Sequence, residues 1–221
     1  MKNKLPKICY WCGNVLTEDL ESKEHVPPLA FFPKGHRNNL MTVPACEKHN
    51  NSFSELDEKF QFFIKAFKTN SVAKKDLEDR VLRGLQRKEK QSFIQDLEKN
   101  SRSGTIYGKS HFFLSLKENE AEMFIEKIVR GIYFYHHEKS AKGIIHSVSK
   151  RIVYEGFNTI TAVDFLKEDL HPALLKEGEY NNPEVFRYKY FAAQGLFTIF
   201  MDFYEHAEFI GIVYPEGFTF D

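Results

Sequence analysis

Cysteine and tryptophan are scarce in this chain, which has three Cys and one Trp among 221 residues. An odd number of cysteines cannot all pair within one chain, so a fold held together by disulfides alone is excluded. All three cysteines lie within the first 46 residues. In a reducing compartment, such a cluster favours metal binding or thiolate chemistry over disulfide formation.

Long apolar runs are also absent. No stretch reaches the roughly 20 apolar residues that a membrane-spanning helix needs. The opening residues, MKNKLPKICYW, contain lysines but no apolar stretch of signal-peptide length after them. We therefore expect a cytoplasmic protein with no membrane partner.

The chain has no excess of charge of either sign, because 31 Lys and Arg balance 31 Asp and Glu. This balance neither requires nor excludes a polyanionic partner. The distribution is uneven, since residues 65–102 carry eleven Lys and Arg against six Asp and Glu. That stretch is well suited to contact phosphate, but a solvated helix surface would have the same charge pattern.

Hydrophobic residues make up 42% of the chain, enough to bury one large core or two small ones. Five of the eight prolines lie in the first 51 residues, where helical periodicity is weak. Helical periodicity of the apolar residues begins at Ser52. We predict an α+β protein with a loop-rich module in residues 1–70 and a mixed helical and antiparallel-sheet domain in residues 71–221.

Periodicity predicts the main elements of both units. The capping-box pattern Ser52-x-x-Glu55, followed by apolar residues at helical spacing, predicts a helix from about residue 53 to 68. Helical stripes follow at 77–85 and 93–97. The apolar pattern of residues 105–116 predicts a strand. That of residues 118–137 predicts an amphipathic helix that covers a sheet. The last apolar runs, between 185 and 215, predict an antiparallel meander.

Two short motifs supply four metal-binding side chains: Cys9-x2-Cys12 and Cys46-x2-His49, separated by 33 residues. A spacing of two residues lets a tight turn direct both side chains at one ion, and zinc favours four such ligands in a tetrahedron. We therefore predict a structural Zn²⁺ held by Cys9, Cys12, Cys46 and His49. The metal would contribute much of the folding free energy of so short a segment.

The residues around these motifs resemble the zinc-clamped members of the HNH endonuclease family. The corresponding pieces are CYWC, EHVPP, NNLMTVPAC and EKHNNSFSELDEKF, in that order, and together they cover residues 9 to about 60. The resemblance implies a ββα-metal fold, with two short strands across residues 24–45 and then a helix whose start carries the last motif residue.

The same resemblance implies the roles of the site residues. His25 would be the general base that activates water, and Glu24 and Asn50 would bind a catalytic divalent ion, Mg²⁺ or Mn²⁺. Glu24 departs from the family pattern, in which Asp is commoner at this position. These roles are chemically consistent, since a neutral imidazole accepts a proton near pH 7 and hard oxygen ligands suit such ions.

The middle residue of the motif is assigned to Asn39, because it precedes Leu40 as the family pattern favours. Asn38, or a register shifted around Met41, fits the pattern as an alternative. Asp57 and Glu58 are interpreted as solvated residues of the predicted helix.

The leading hypothesis for function is an endonuclease that hydrolyses phosphodiester bonds of DNA. Two alternatives stay open: a zinc-stabilised module that binds nucleic acid or protein without catalysis, and an RNase or toxin-like effector that uses the same site. The resemblance also suggests a role in a prokaryotic defence or mobile-element system. Residues 71–221 would serve in homodimer formation, in substrate positioning or in docking a regulatory protein.

Overall fold

The computed structural model describes residues 5–66, 69–114, 118–149, 174–180 and 182–219. Within these ranges the protein is mixed α+β, with helices and antiparallel sheets. The helices are α1 (Glu47–Asn51), α2 (Ser54–Ala66), α3 (Ser71–Asp76), α4 (Leu82–Leu85), α5 (Gln91–Lys99) and α6 (Glu118–His137). The strands are β1 (Ser22–His25), β2 (Thr42–Ala45), β3 (Ser101–Ile106), β4 (Lys109–Leu114), β5 (Ile145–Ser149), β6 (Lys176–Glu177), β7 (Phe186–Ala193), β8 (Leu196–Phe203) and β9 (Ala207–Val213).

The N-terminal part is a two-stranded hairpin followed by two helices. β1 and β2 pair antiparallel, with Glu24 opposite Val43 and His25 opposite Thr42. The predicted pair of strands across residues 24–45 is therefore present, and α2 confirms the helix predicted from about residue 53. Asn50 does not begin a long helix as expected, because it is the fourth residue of α1 and its N–H donates to Cys46 O.

Two local predictions are wrong in detail. Ser52 ends α1 instead of capping α2, since its N–H donates to Lys48 O. Residues 105–116 were expected to form one strand, but β3 and β4 form a hairpin across them. Tyr107 and Gly108 both have positive φ, 50° and 74°, which is the backbone of a tight two-residue hairpin turn.

The C-terminal part is a five-stranded antiparallel sheet in the order β5-β9-β8-β7-β6 among the described residues. The meander β7-β8-β9 confirms the prediction for residues 185–215. The amphipathic helix α6 is also confirmed, and it packs on β5 and β9 of this sheet. No helix in the described ranges has both the length and the hydropathy to cross a bilayer.

One hydrophobic cluster joins the hairpin region to the sheet. Phe31, from the loop between β1 and β2, lies 5.4 Å from Phe124 of α6 and 5.4 Å from Phe203 of β8, measured between ring centroids. Phe60 of α2 stacks on Phe124 at 4.2 Å. Apolar side chains therefore pack across the predicted boundary between residues 1–70 and 71–221. Whether the two units fold separately stays a prediction.

Main-chain carbonyls of the β1–β2 loop are bound by side chains from later in the chain. Tyr180 Oη donates to Val26 O at 3.0 Å, and Tyr204 Oη donates to Phe31 O. Arg80 Nη2 donates to Ala30 O at 2.8 Å. Since this loop follows directly from His25, these bonds hold the end of β1 in a defined position.

Candidate metal centre and active site

The four predicted zinc ligands converge at one point. The sulfur atoms of Cys9, Cys12 and Cys46 and a ring nitrogen of His49 all lie within 4.8 Å of one another. Cys46 Sγ is 3.1 Å and Cys9 Sγ is 3.6 Å from His49 Nδ1. Ligands at zinc bond lengths in a tetrahedron are about 3.6–3.8 Å apart. The cluster could therefore hold a zinc ion.

Two local structures aim these side chains. Gly13, at φ +76°, lets the chain turn tightly after Cys12, and its N–H donates to Cys9 O at 2.9 Å. Cys46 precedes α1, and the N–H of His49 donates to Cys46 O at 3.0 Å. The first pair thus lies on a knuckle turn, and the second pair on the first turn of a helix.

The pKa values of the cluster residues are shifted in different directions, and burial raises the pKa of the Cys12 thiol. Burial raises the pKa of the Cys9 thiol, but hydrogen bonds from the backbone of Cys12, Cys46 and Trp11 outweigh it, so the net shift is downward. Burial, together with the charges of Lys48 and Arg130, lowers the pKa of His49. A thiolate and a neutral imidazole are the forms that bind zinc.

Trp11 lies between the metal centre and helix α6. The indole stacks on His49, with ring centroids 5.8 Å apart and planes at 21°, and lies 4.9 Å from Phe53. The Arg130 guanidinium lies 4.9 Å from the centre of the same indole. The knuckle is therefore packed against the rest of the protein through its aromatic ring.

A cleft of about 450 Å³ lies beside the metal centre and contains most of the predicted catalytic residues. Glu24 and His25 enter it from β1 and Asn50 from α1. Asn39 is not among the described residues that line it, and occupies an exposed turn with φ +54°. The remaining lining residues are Lys23, Pro28, Leu29, Ala30, Ser54, Asp57, Glu58 and Gln61.

Two residues were not assigned to the site from the sequence: Asp57, which lines the cleft, and Lys127, which pairs with Glu24 and Asp57. Lys127 of α6 places its Nζ 3.0 Å from Glu24 Oε1 and 2.6 Å from Asp57 Oδ2. The Lys127 side chain is 2% exposed and the Asp57 side chain 14%. Asp57 was interpreted as solvated, and this is wrong because α6 packs over it.

Burial sets the electrostatics of the acidic pair. It raises the pKa of Glu24 to about 7; Lys127 opposes this shift and Asp57 adds to it. Burial also raises the pKa of Asp57, against the effect of Lys127. Asp57 Oδ1 is buried without a hydrogen-bond partner among the described residues. An orphaned carboxylate oxygen, a second carboxylate and the Asn50 amide make a donor set that fits a hard divalent cation.

His25 has the properties that a general base needs. Burial lowers its pKa, and the positive charge of Arg37 lowers it further. The imidazole is therefore neutral at pH 7 and able to accept a proton. It reaches the same cleft as the carboxylates.

Some basic residues of the 65–102 stretch form ion pairs within the protein. Lys65 is buried and pairs with Asp76, which also accepts from Arg80 Nε at 2.8 Å. Lys90 pairs with Glu58 at the cleft. The residues of the stretch that suit contact with a phosphate backbone are exposed, and they include Lys74, Lys75, Arg87 and Lys88.

A larger cleft, of about 910 Å³, is lined by the knuckle residues Cys12 and Gly13 and bordered by Trp11, Tyr133 and Tyr214. Its described lining includes the lysines Lys139 and Lys142 and one acid, Glu216. The smaller cleft is the better candidate for catalysis, since acids, amide and imidazole meet there.

Comparison of the chain with protein-family models, curated proteins and solved structures finds no match.

Proposed function

We propose that the chain is a divalent-ion-dependent endonuclease that hydrolyses phosphodiester bonds of DNA, with residues 1–70 as an HNH-type module. The observation that supports this best is the convergence of a neutral His25 with the oxygen donors of Glu24, Asn50 and Asp57 in one cleft. This cleft adjoins a Cys₃His cluster, as expected for a zinc-clamped member of that family. The zinc is assigned a structural role.

In this proposal His25 accepts the proton of a water molecule, whose oxygen attacks the phosphorus of the scissile bond. Glu24 and Asn50 would hold Mg²⁺ or Mn²⁺, with Asp57 as an additional donor. A bound divalent ion stabilises negative charge on the phosphate and on the departing sugar oxygen. The bond between phosphorus and that oxygen breaks, the departing oxygen takes up a proton from solvent, and the proton held by His25 passes to solvent. Asn39 lies outside the described lining of the cleft, so its role as the middle motif residue stays a prediction.

Affinity would come mainly from contacts with the phosphate backbone. Lys23 is exposed at the rim of the cleft, and the exposed lysines of α3 supply further positive charge. Such contacts bind with little dependence on sequence and weaken as salt increases. A nuclease of low sequence specificity is therefore proposed, with RNA as the alternative substrate.

The test compares the wild type with His25→Ala on supercoiled plasmid, linear DNA and RNA, each with Mg²⁺, Mn²⁺ or no added divalent ion. Loss of a general base should slow cleavage by about 100-fold or more. His206→Ala, an exposed histidine in the β8–β9 turn, is the matched control and should cleave like the wild type.

Zinc content is measured in all three proteins, so that loss of the fold is not mistaken for loss of the base. Equal cleavage by zinc-replete wild type and zinc-replete His25→Ala would contradict the proposal. If zinc-replete wild type binds DNA or RNA but cleaves neither in any ion, the non-catalytic binding module becomes the better interpretation.

A further inference from the structure

Lys127 has a position that the proposed reaction does not explain. It is the one described cation in contact with both Glu24 and Asp57, at 3.0 and 2.6 Å, and both carboxylates line the cleft. Its Nζ also lies 5.2 Å from the centre of the Phe53 ring. Because the side chain is 2% exposed, the ammonium is too deep to reach a substrate.

The ammonium and a divalent ion would share the same carboxylates. Glu24 and Asp57 together carry at most two negative charges, and Lys127 neutralises one of them. An ion bound by Glu24 would lie a few ångströms from the ammonium, and at this depth solvent screens their repulsion weakly. Lys127 extends from α6, whose apolar face is fixed in the core, so the ammonium remains near the ion.

We propose that Lys127 is a built-in counter-cation that sets the affinity of the cleft for its divalent ion. In the ion-free protein it holds the two carboxylates side by side. When the ion binds, the ammonium weakens that binding by repulsion, which keeps the ion exchangeable. Lys127 is thus a positioning residue that acts through Glu24 and Asp57. The inference rests on the proposed function, because it requires an ion at Glu24.

The test measures Mn²⁺ binding by titration calorimetry and by electron paramagnetic resonance of free Mn²⁺, on protein that retains its zinc. Lys127→Gln removes the charge but keeps a hydrogen-bond donor, and we expect it to bind Mn²⁺ about tenfold more tightly, or more. Lys127→Arg keeps the charge and should bind Mn²⁺ within about threefold of the wild type.

A matched control exists in the same protein. Lys59 is another buried lysine that joins two carboxylates, Asp96 at 2.9 Å and Glu120 at 2.7 Å. Lys59→Gln should leave Mn²⁺ affinity at the Glu24 site unchanged. A similar gain in Lys59→Gln would mean that any unbalanced acid pair recruits Mn²⁺, and it would overturn the specific role of Lys127.

Thermal unfolding gives a second readout that a purely structural lysine would not produce. Without Mn²⁺, Lys127→Gln should melt below the wild type, because two buried carboxylates lose their counter-charge. Added Mn²⁺ should raise its melting temperature more than that of the wild type, since tighter binding gives greater stabilisation. A Lys127→Gln protein that fails to fold even in Mn²⁺ would overturn the proposal, as would unchanged or weaker Mn²⁺ binding.

Glu24→Gln separates failure of this inference from failure of the proposed function. If the wild type binds Mn²⁺, Glu24→Gln abolishes the binding and Lys127→Gln leaves it unchanged, only the role of Lys127 is wrong. If neither the wild type nor Lys127→Gln binds Mn²⁺, the proposed ion site fails and the inference fails with it.

Discussion

Among single residues, burial determines which proton acceptors the cleft offers at neutral pH. Glu24 has a pKa of about 7, so its carboxyl is partly protonated in the ion-free protein. The pKa of His25 is shifted in the opposite sense, and its imidazole is neutral. A bound divalent ion would favour the ionised form of Glu24, so ion binding and proton release are coupled at this position.

The raised pKa of Glu24 predicts how stability depends on pH. Its pKa is higher in the folded than in the unfolded protein, so the folded state binds the additional proton between about pH 4.5 and 7. The free energy of unfolding should therefore fall by on the order of 3 kcal/mol as pH rises through that range. Glu24→Gln lacks this titration and should lack its share of the slope.

Urea unfolding of both proteins at several pH values, without Mg²⁺ or Mn²⁺ and with zinc retained, checks this prediction. The difference between the two proteins is the informative quantity, because release of zinc at low pH is common to both. Parallel curves from about pH 4.5 to 8 would contradict the raised pKa of Glu24.

The site residues that belong to short sequence motifs could be predicted from the sequence. The site residues that only tertiary packing brings to the cleft were missed. The four ligands of the Cys₃His cluster were predicted from spacing alone, and the structure brings them together. Asp57 had a usable signal, since Asn50, Ser54, Asp57 and Gln61 follow one another at helical intervals and all line the cleft. Lys127 lies 77 positions from Asn50, and only the packing of α6 places it at Glu24.

Among the elements, the approach of α6 to the end of β1 depends on a glycine. A Cβ added at Gly131 would lie 2.5 Å from Val26 Cγ2 and 2.8 Å from Val26 Cγ1. Val26 follows His25 directly, so any displacement of β1 from α6 would move the proposed base. Gly131 thus allows the helix that carries Lys127 to lie close to the strand that carries Glu24.

Gly131→Ala should therefore destabilise the protein by about 1–3 kcal/mol, because the steric cost exceeds the helix-propensity gain of up to about 1 kcal/mol. Gly84 in α4 is the matched control: a Cβ added there would meet nothing within 4 Å, so Gly84→Ala should be neutral or stabilising. Val26→Ala combined with Gly131→Ala should lose less stability than the sum of the single variants. Strict additivity in urea unfolding would exclude this contact as the cause.

Element types were more predictable than their connections. The long amphipathic helix and the meander were evident from periodicity, because each buries one regular apolar face. The β3–β4 hairpin was interpreted as one strand, because the turn residue Tyr107 has a side chain that normally favours strands yet adopts φ +50°. The amphipathic pattern of α6 predicted that it covers a sheet, but its contact with the β1–β2 hairpin is a tertiary property that no local pattern encodes.

At the scale of the whole molecule, the metal centre and the C-terminal sheet share one hydrophobic core. Phe31 contacts both α6 and β8, and Trp11 contacts Arg130 of α6. Zinc binding at the N-terminus should consequently stabilise the sheet as well as the knuckle. Loss of zinc should lower the stability of the entire described fold.

Cys12→Ser tests this coupling, because Cys12 is exposed and its replacement costs little packing. With zinc present, we expect the variant to be less stable than the wild type by about 3 kcal/mol or more. After zinc is removed with a strong chelator, the two proteins should unfold at nearly the same urea concentration. Circular dichroism of the sheet and zinc release should show one common transition in the wild type.

A zinc-replete wild type whose sheet unfolds well after zinc release would instead show that residues 1–70 and 71–221 fold separately, as the sequence suggested. A Cys12→Ser protein as stable as zinc-loaded wild type would contradict a structural role for the metal.

Trp11 gives this protein a built-in optical probe. It is the sole indole in the chain, and it stacks on a predicted zinc ligand while facing the guanidinium of α6. All tryptophan fluorescence therefore originates beside the Cys₃His cluster. Changes in emission intensity and wavelength would follow the state of His49 and the contact with Arg130 in real time, without any attached label.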